Sequence, residues 1–482
     1  MNSNPLSKRL LVVIFTGLLL LASSEVLTVY AREHKLALSI ESEQDISTLA
    51  TPGGPGHGAT IAQTTAGAVL AAWWSGPERA PETDIWMSCF DNGTWSAPYR
   101  VFDGDEVDKD YTCENCMLFQ PKNGPLMLFV LAGGPAYKKP DDTAIYYHNL
   151  RGHLKTSTDD GQTWSAPRAL GAAPGLVGGN LIGPTKNPPI QLSDGTILVP
   201  SSNEYGLLQS RQWEKFTYHF EKSADGGATW SLAHVCPDPP DQNMMPIQPG
   251  ILRLGGTKLM ALGRNQSDKS REVPTVTSSD NGQTWTVPSY MTNLKAHKSG
   301  ICPLTLSDGT HVCFVNRYPG NSERDELDLM VSTDGTNWSF GINVQGTDGM
   351  DAHYPQAVQT ADGKLHVVYS YNIHNQQGII RHAIIRTGIA ATSWTPPACP
   401  TRLICPLLSV NSEMAALRPA AVWRLSERPR REAPNRSITP PLSLPTTSGV
   451  ILRSRLTWAT ATTGAATRRA IFSLAMPWVR GS

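Results

Sequence analysis

The sequence predicts an all-β chain, a six-bladed β-propeller, from three observations. First, a Ser-x-Asp-x-Gly-x-Thr-Trp motif occurs at 157–164, 223–230 and 278–285, with shortened copies at 91–95 and 332–338. Its tryptophans fall 69, 66, 55 and 53 residues apart. Second, apolar or alternating strands flank glycine turns at Gly67, Gly124, Gly195, Gly255, Gly309 and Gly363. Third, 41 Gly, 37 Pro and 13 Trp with only 17% charged residues describe a turn-rich chain rather than a helical one. Each motif has hairpin chemistry: Asp accepts local backbone N–H bonds, Gly takes the left-handed position, and Trp packs beneath the turn. A calcium-loop reading fails because the bidentate Glu that would close such a loop is missing. A glycine hairpin followed by an Asp-motif hairpin makes a unit of four strands, and units of this kind arrayed radially form a propeller.

The elements follow in chain order. Lys8 and Arg9 precede an uncharged run, 10–24, and Val29-Tyr30-Ala31 offers a cleavage site, so 1–31 reads as a signal peptide. Apolar residues resume after Glu25, which keeps an uncleaved signal anchor as the rival. Residues 32–54 form an N-terminal segment that is a candidate for the strand closing the ring. The propeller spans 55–395. The tail, 396–482, is Arg-, Pro-, Ser- and Thr-rich and reads as disordered.

The formal charge is zero, from 41 basic and 41 acidic residues, which excludes a strongly basic nucleic-acid binder. That zero hides an asymmetry: the tail carries 12 Arg against 3 Glu, a net +9, and 1–395 carries 29 basic against 38 acidic residues, a net −9. Export permits disulfides among the eight cysteines, and Cys302 and Cys313 flank a turn symmetrically, as a cross-strand bridge or as two buried thiols. Cys113 and Cys116 have zinc-knuckle spacing without a second pair, so no metal or cofactor is expected.

The five Asp boxes on this scaffold resemble the sialidase superfamily (neuraminidase-like), in its BNR-repeat-like, Asp-box branch. Segments similar to the family are GHGATI at 56–61, AAWWSG at 71–76, GPTKNPPIQLSDGTILVPSSNE at 183–204 and YPQAVQTADGKLHVVYS at 354–370. Asp boxes lie on outer turns and speak to fold rather than chemistry.

A site is expected where first strands begin and second strands end. The periodicity puts His57, Asn115, Asn187, Gln248, Ser299 and Tyr354 at first-strand starts. It puts Arg79, Tyr137, Glu204, Arg264, Arg317 and Tyr371 at second-strand exits. The resemblance implies an anionic sugar held by three arginines, with an Asp acid/base and a Tyr nucleophile activated by Glu. Carried onto this chain, Arg264 and Arg317 take two arginine positions, with Arg79, Asn187 and Arg381 as further binding residues. Tyr354 or Tyr371 is the nucleophile, Glu204 its base and Asp84 the acid/base. The family's Phe-Arg-Ile-Pro segment is missing, and His57 stands at the first blade's inner start.

The leading expectation is therefore a secreted exo-glycosidase of sialidase type, a monomer acting on an anionic oligosaccharide or glycoconjugate, contacting a membrane only if the N-terminal segment stays uncleaved. A first alternative is a uronate-directed glycosidase or lyase with His57 as general acid/base, as in relatives acting on rhamnose–glucuronate linkages. A second is a non-catalytic carbohydrate-binding propeller.

Overall fold

The computed structural model describes residues 36–48, 56–78, 80–134, 150–176, 179–204, 216–319, 324–346, 349–373 and 378–388. The chain divides into Met1–Ala398, which carries every strand described, and Cys399–Ser482, which lies outside the described residues, as do 1–35. The expected signal segment and basic tail therefore fall outside them.

Strand β1 (Ser39–Asp45) comes first among the described strands. The first blade is β2 (Gly56–Gln63), β3 (Val69–Ser75) and β4 (Asp84–Asp91), with β5 (Thr94–Trp95) and β6 (Tyr99–Phe102) both paired to β4. The second is β7 (Thr112–Phe119), β8 (Leu126–Gly133), β9 (Leu150–Ser157) and β10 (Arg168–Ala169). The third is β11 (Ile190–Gln191), β12 (Ile197–Glu204), β13 (Phe216–Ser223) and β14 (Ser231–Val235). The fourth is β15 (Pro246–Gly255), β16 (Lys258–Asn265), β17 (Glu272–Ser278) and β18 (Ser289–Lys295). The fifth is β19 (Cys302–Thr305), β20 (His311–Val315), β21 (Leu327–Ser332) and β22 (Ser339–Gln345). The sixth is β23 (Ala352–Gln359), β24 (Leu365–Tyr371) and β25 (Ile379–Arg386), and β1 pairs antiparallel with β25 as its outer strand. First strands of neighbouring sheets adjoin around one axis, and β23 returns to β2, so the six sheets form a six-bladed propeller.

The side-chain alternation of a strand explains how the ring is filled. Both faces of each sheet are covered, so successive residues of one strand enter two different cores. In β8, Leu126, Leu128, Val130 and Ala132 join a cluster shared with the first blade, while Met127 and Phe129 join one shared with the third. Six clusters result, one at each seam between blades. The same alternation decides between the two readings of Cys302 and Cys313 in favour of two buried thiols. Cys302 is paired with Phe314 and Cys313 with Pro303, so the two thiols face opposite seams, and both are free.

The Asp boxes fasten these seams from outside. In the second blade Ser157 Oγ donates to Asp159 Oδ1 at 2.8 Å, and Asp159 Oδ1 accepts from Thr163 N at 2.8 Å. Trp164 Nε1 closes the turn on the Gly161 carbonyl at 3.0 Å. These bonds hold the Asp159 carboxyl down at about 2, Thr163 contributing most. The box glycine touches the preceding blade: a Cβ on Gly282, where φ is +79°, would lie 2.6 Å from Leu198 Cδ2. The first blade departs from this pattern, since Trp95 Nε1 donates across the last seam to His382 Nδ1 at 3.2 Å.

Candidate active site

Three first strands reach the axis through a bulge at one equivalent point. Register shifts fall between His57 and Thr60, between Ile247 and Gly250, and between His353 and Gln356. Within each, one residue is left-handed: Gly58 (φ +60°), Gln248 (φ +56°) and Tyr354 (φ +56°). Positive φ in a tyrosine or glutamine is strained, and such strain is tolerated where the surroundings over-determine it, often at sites that bind or react. The bulges show that the residue equivalent to His57 is His353, not Tyr354.

Tyr354 lies at the centre of the resulting cluster. Its hydroxyl accepts from Arg264 Nη1 at 2.8 Å, and the Cζ atoms of Arg264 and Arg324 each stand 5.9 Å from its ring centroid. The rings of His57 and His353 lie 4.7 and 5.4 Å from it. His57 Nδ1 is 2.7 Å from Ser370 Oγ, which also accepts from Gly58 N at 3.1 Å. Burial drives the His57 pKa well below its ordinary value, and the charges of Arg324 and Arg264 add to this, so the ring is neutral. That corrects the expectation that His57 supplies a proton near neutral pH: it is a neutral imidazole able to accept one.

Glu204 ends β12 in a small pocket lined also by Asn115, Leu131, Leu150, Ile182 and Ser202. Burial pushes its carboxyl up to about 7, opposed by the Arg264 charge and by the Ser202 hydroxyl that donates to it at 3.1 Å. Arg264 therefore acts electrostatically on Glu204 while donating to Tyr354. Its Nε is buried with no hydrogen-bond partner among the described residues, an orphan donor suited to an anionic acceptor.

Lys186 and Asn187 of the third blade reach across to the fourth, fifth and sixth blades. Lys186 Nζ donates to the carbonyls of Ile301 at 3.0 Å and Pro355 at 2.6 Å, and burial pulls its pKa down to about 8. Asn187 is fully buried with its amide spent at both ends, donating to Gln248 O at 3.0 Å and accepting from Gln356 Nε2 at 2.9 Å. Asn187 is thus a plug and not the expected substrate-binding residue.

Four other expected site residues lie elsewhere, each with a physical reason. Asp84 is bound to Arg100 at 3.1 Å within the first blade and is no acid/base of the channel. Arg317 donates to the buried Asp328 at 2.7 Å and stacks over Phe340 on the outer strand β22, so it does not clamp with Arg264. Arg381 donates to Asp45 at 2.8 Å and to Gln345 at 3.2 Å, and its Cζ covers the Tyr371 ring at 3.7 Å. Tyr371 and Arg381 therefore occupy one another at a strand end, neither as nucleophile nor as clamp. Arg79 and Tyr137 lie outside the described residues.

Sequence reasoning missed Arg324, Asp351, His353 and Lys186. The signal for His353 was available: His-Gly-Ala-Thr at 57–60 aligns with His-Tyr-Pro-Gln at 353–356 once the bulge is counted.

The model of the BNR repeat-like domain matches residues 67–367. No curated protein matches the chain. A Dyadobacter fermentans protein of unknown function is similar at 16% identity and a TM-score of 0.59, over 73% of this chain and 99% of that one. The NanB sialidase of Streptococcus pneumoniae is similar at 12% identity and a TM-score of 0.53, over 71% and 70%. A leech intramolecular trans-sialidase, solved with 2,7-anhydro-Neu5Ac, is similar at 13% identity and a TM-score of 0.54, again over 71% and 70%. Those identities speak to the fold alone. With Asp boxes at the seams and a family match across most of the ring, the chain belongs to the BNR repeat-like domain family of sialidase-like propellers.

Proposed function

We propose that this propeller is a glycosidase that releases a terminal carboxylated sugar, sialic acid first among them, from glycans outside the cytoplasm. The observation that carries the reading is Tyr354, held in a strained left-handed conformation with its hydroxyl on Arg264. A guanidinium there favours the phenolate, and Glu204, poised near neutrality, is suited to taking the phenolic proton. The phenolate oxygen then attacks the anomeric carbon and neutralises the positive charge that develops there, the leaving oxygen departs with a proton taken from water, and a second water hydrolyses the glycosyl–tyrosine bond to release the sugar. Arg264 and Arg324 are suited to the sugar carboxylate.

One observation favours a second substrate. Among the described residues no third guanidinium joins these two, and neutral His57 fills the place next to Tyr354. A uronate with His57 as base fits that arrangement. The test is turnover of a fluorogenic sialoside against a fluorogenic glucuronide and a rhamnose–glucuronate disaccharide, with His57→Ala and Tyr354→Phe beside the wild type. Sialoside turnover abolished by Tyr354→Phe supports the first substrate, and uronide turnover abolished by His57→Ala supports the second. Tight glycan binding without turnover on any of them overturns the enzyme reading in favour of a lectin-like propeller. Periplasmic or extracellular recovery after fractionation tests the location.

A further inference from the structure

We propose that Asp351 and His353 are positioning residues that hold Arg324 against Tyr354, so that the second guanidinium of the clamp depends on an Asp–His support. This rests on the reading of Arg324 as a carboxylate-binding residue. The geometry forms a directed chain. Asp351 Oδ2 stands 2.8 Å from His353 Nε2 and accepts from Ile373 N at 3.1 Å. Arg324 Nη1 stands 3.3 Å from His353 Nδ1, while Nη2 donates to the Lys298 carbonyl at 2.8 Å. A guanidinium has only donors, so Nδ1 must accept, Nε2 must carry the proton, and Asp351 must receive it. The imidazole is therefore neutral, fixed in one tautomer by the carboxylate behind it, in the way an acid partner orients a histidine in other sites. The backbone is tied to the same assembly, since Ala352 N donates to the Arg324 carbonyl at 2.9 Å and Asn372 N to the Asp351 carbonyl at 2.8 Å.

His353 has both ring nitrogens engaged within this chain, and Asp351 is buried behind it. Neither is thereby offered to a sugar, which separates their role from that of His57 and Tyr354. Arg317, in the same blade as Arg324, donates instead to Asp328. The Asp–His pair keeps Arg324 directed inward.

The experiment is a kinetic and binding comparison on whichever carboxylated sugar the wild type accepts. His353→Leu is expected to raise KM about tenfold while kcat stays within about threefold, the mark of lost ground-state binding. His353→Asn, which keeps an acceptor near the Nδ1 position, is expected to lose less than about threefold, and Asp351→Asn to fall between the two. In an Arg324→Ala background His353→Leu is expected to change KM less than about twofold, because the two effects share one interaction. A fall in kcat at unchanged KM, or effects that multiply in the double variant, overturns the proposal. Should His353→Leu fail to fold, His353→Asn and Asp351→Asn carry the same comparison. A wild type that neither turns over nor binds free sialic or glucuronic acid sinks the functional reading instead. The positioning relation is then decided by the ¹⁵N resonance of the bare imidazole nitrogen of His353. It is expected to move on Arg324→Ala and to stay on Arg317→Ala, and no movement overturns the relation.

Discussion

The hydroxyl of Tyr354 accepts a hydrogen bond from Arg264 Nη1 at 2.8 Å, joining residues 90 apart in sequence. The phenol has little freedom, since its backbone is bent into a left-handed bulge and its ring is flanked by the two guanidiniums. Tyr354→Phe keeps the ring volume and removes only the oxygen. Turnover of the accepted glycoside is expected to fall by about a hundredfold or more with the melting temperature nearly unchanged. Steady-state kinetics beside a thermal melt check both halves.

Glu204 is expected to give the rate an acid limb. Its carboxyl sits at about 7, above the ordinary range, because burial penalises the charge. Below that value the group is protonated and cannot take the phenolic proton, so activity is expected to rise as pH climbs through 7. Glu204→Gln is expected to lower kcat by about a hundredfold or more and to erase that limb. A full pH–rate profile of both proteins tests this, and an unchanged limb in the variant assigns it to another group.

The two arginines of the fifth blade are expected to separate cleanly. Arg317→Ala strips a partner from the buried Asp328 carboxylate, which among the described residues keeps the Asn343 amide at 2.9 Å. Stability is expected to drop by about 1–2 kcal/mol, a figure reduced for the partial exposure of Arg317, with KM unmoved. Arg324→Ala is expected to do the reverse. Urea unfolding and KM, measured on both variants, give the answer.

The last seam is expected to loosen in acid. His382 Nε2 and His366 Nδ1 lie 3.0 Å apart, and burial pushes His382 down to about 3, with the neighbouring His366 adding to it. An unfolded histidine titrates near 6.5, so between 6.5 and 3 the unfolded chain binds more protons than the folded one. Stability is thus complete above 6.5 and is lost as pH falls, by up to about 1.4 kcal/mol per pH unit for this one imidazole. Thermal melts from pH 7.5 to 4.5 are expected to show a slope that His382→Phe flattens.

A box glycine and a hairpin glycine are expected to differ although both have positive φ. Gly282→Ala adds a clash with Leu198 to the strain of φ +79°, and about 2–4 kcal/mol is expected to be lost. Gly309, at φ +89°, has open space around it, so Gly309→Ala is expected to cost only about 1 kcal/mol of strain. Equal losses in urea unfolding would leave the box without its interlocking role.

The blades were legible in the sequence because their signals are local. Ser157 and Thr163 satisfy Asp159, and Gly161 satisfies Trp164, all within eight residues, and alternation sorts Leu128 from Phe129 without any knowledge of the partner blade. The site was legible only in part. Arg264, Glu204 and His57 fell where strand periodicity put them, and Tyr354 fell one residue past the position it was given. Arg317 and Arg381 had the right residue type at plausible places, yet Asp328 and Asp45 neutralise them, and those pairings depend on tertiary contacts. Arg324 lies beyond the strand exit in a connection with no periodicity. His353 was hidden by one residue of bulge, which shifts the register without leaving a mark in the hydrophobic pattern.

The pairing of β1 with β25 sets a timetable for the nascent chain. Glu41 meets Arg386 across 345 residues, so at about 10 residues per second the strand made first waits roughly half a minute for its neighbour. An unpaired strand edge exposed that long invites association with other chains. Its sequence, Ser-Ile-Glu-Ser-Glu-Gln-Asp, carries a carboxylate at every second position from Glu41 onward. Those charges repel like copies during the wait, and once the ring is complete Glu41 and Asp45 turn to Lys364, Arg386 and Arg381 as ion pairs.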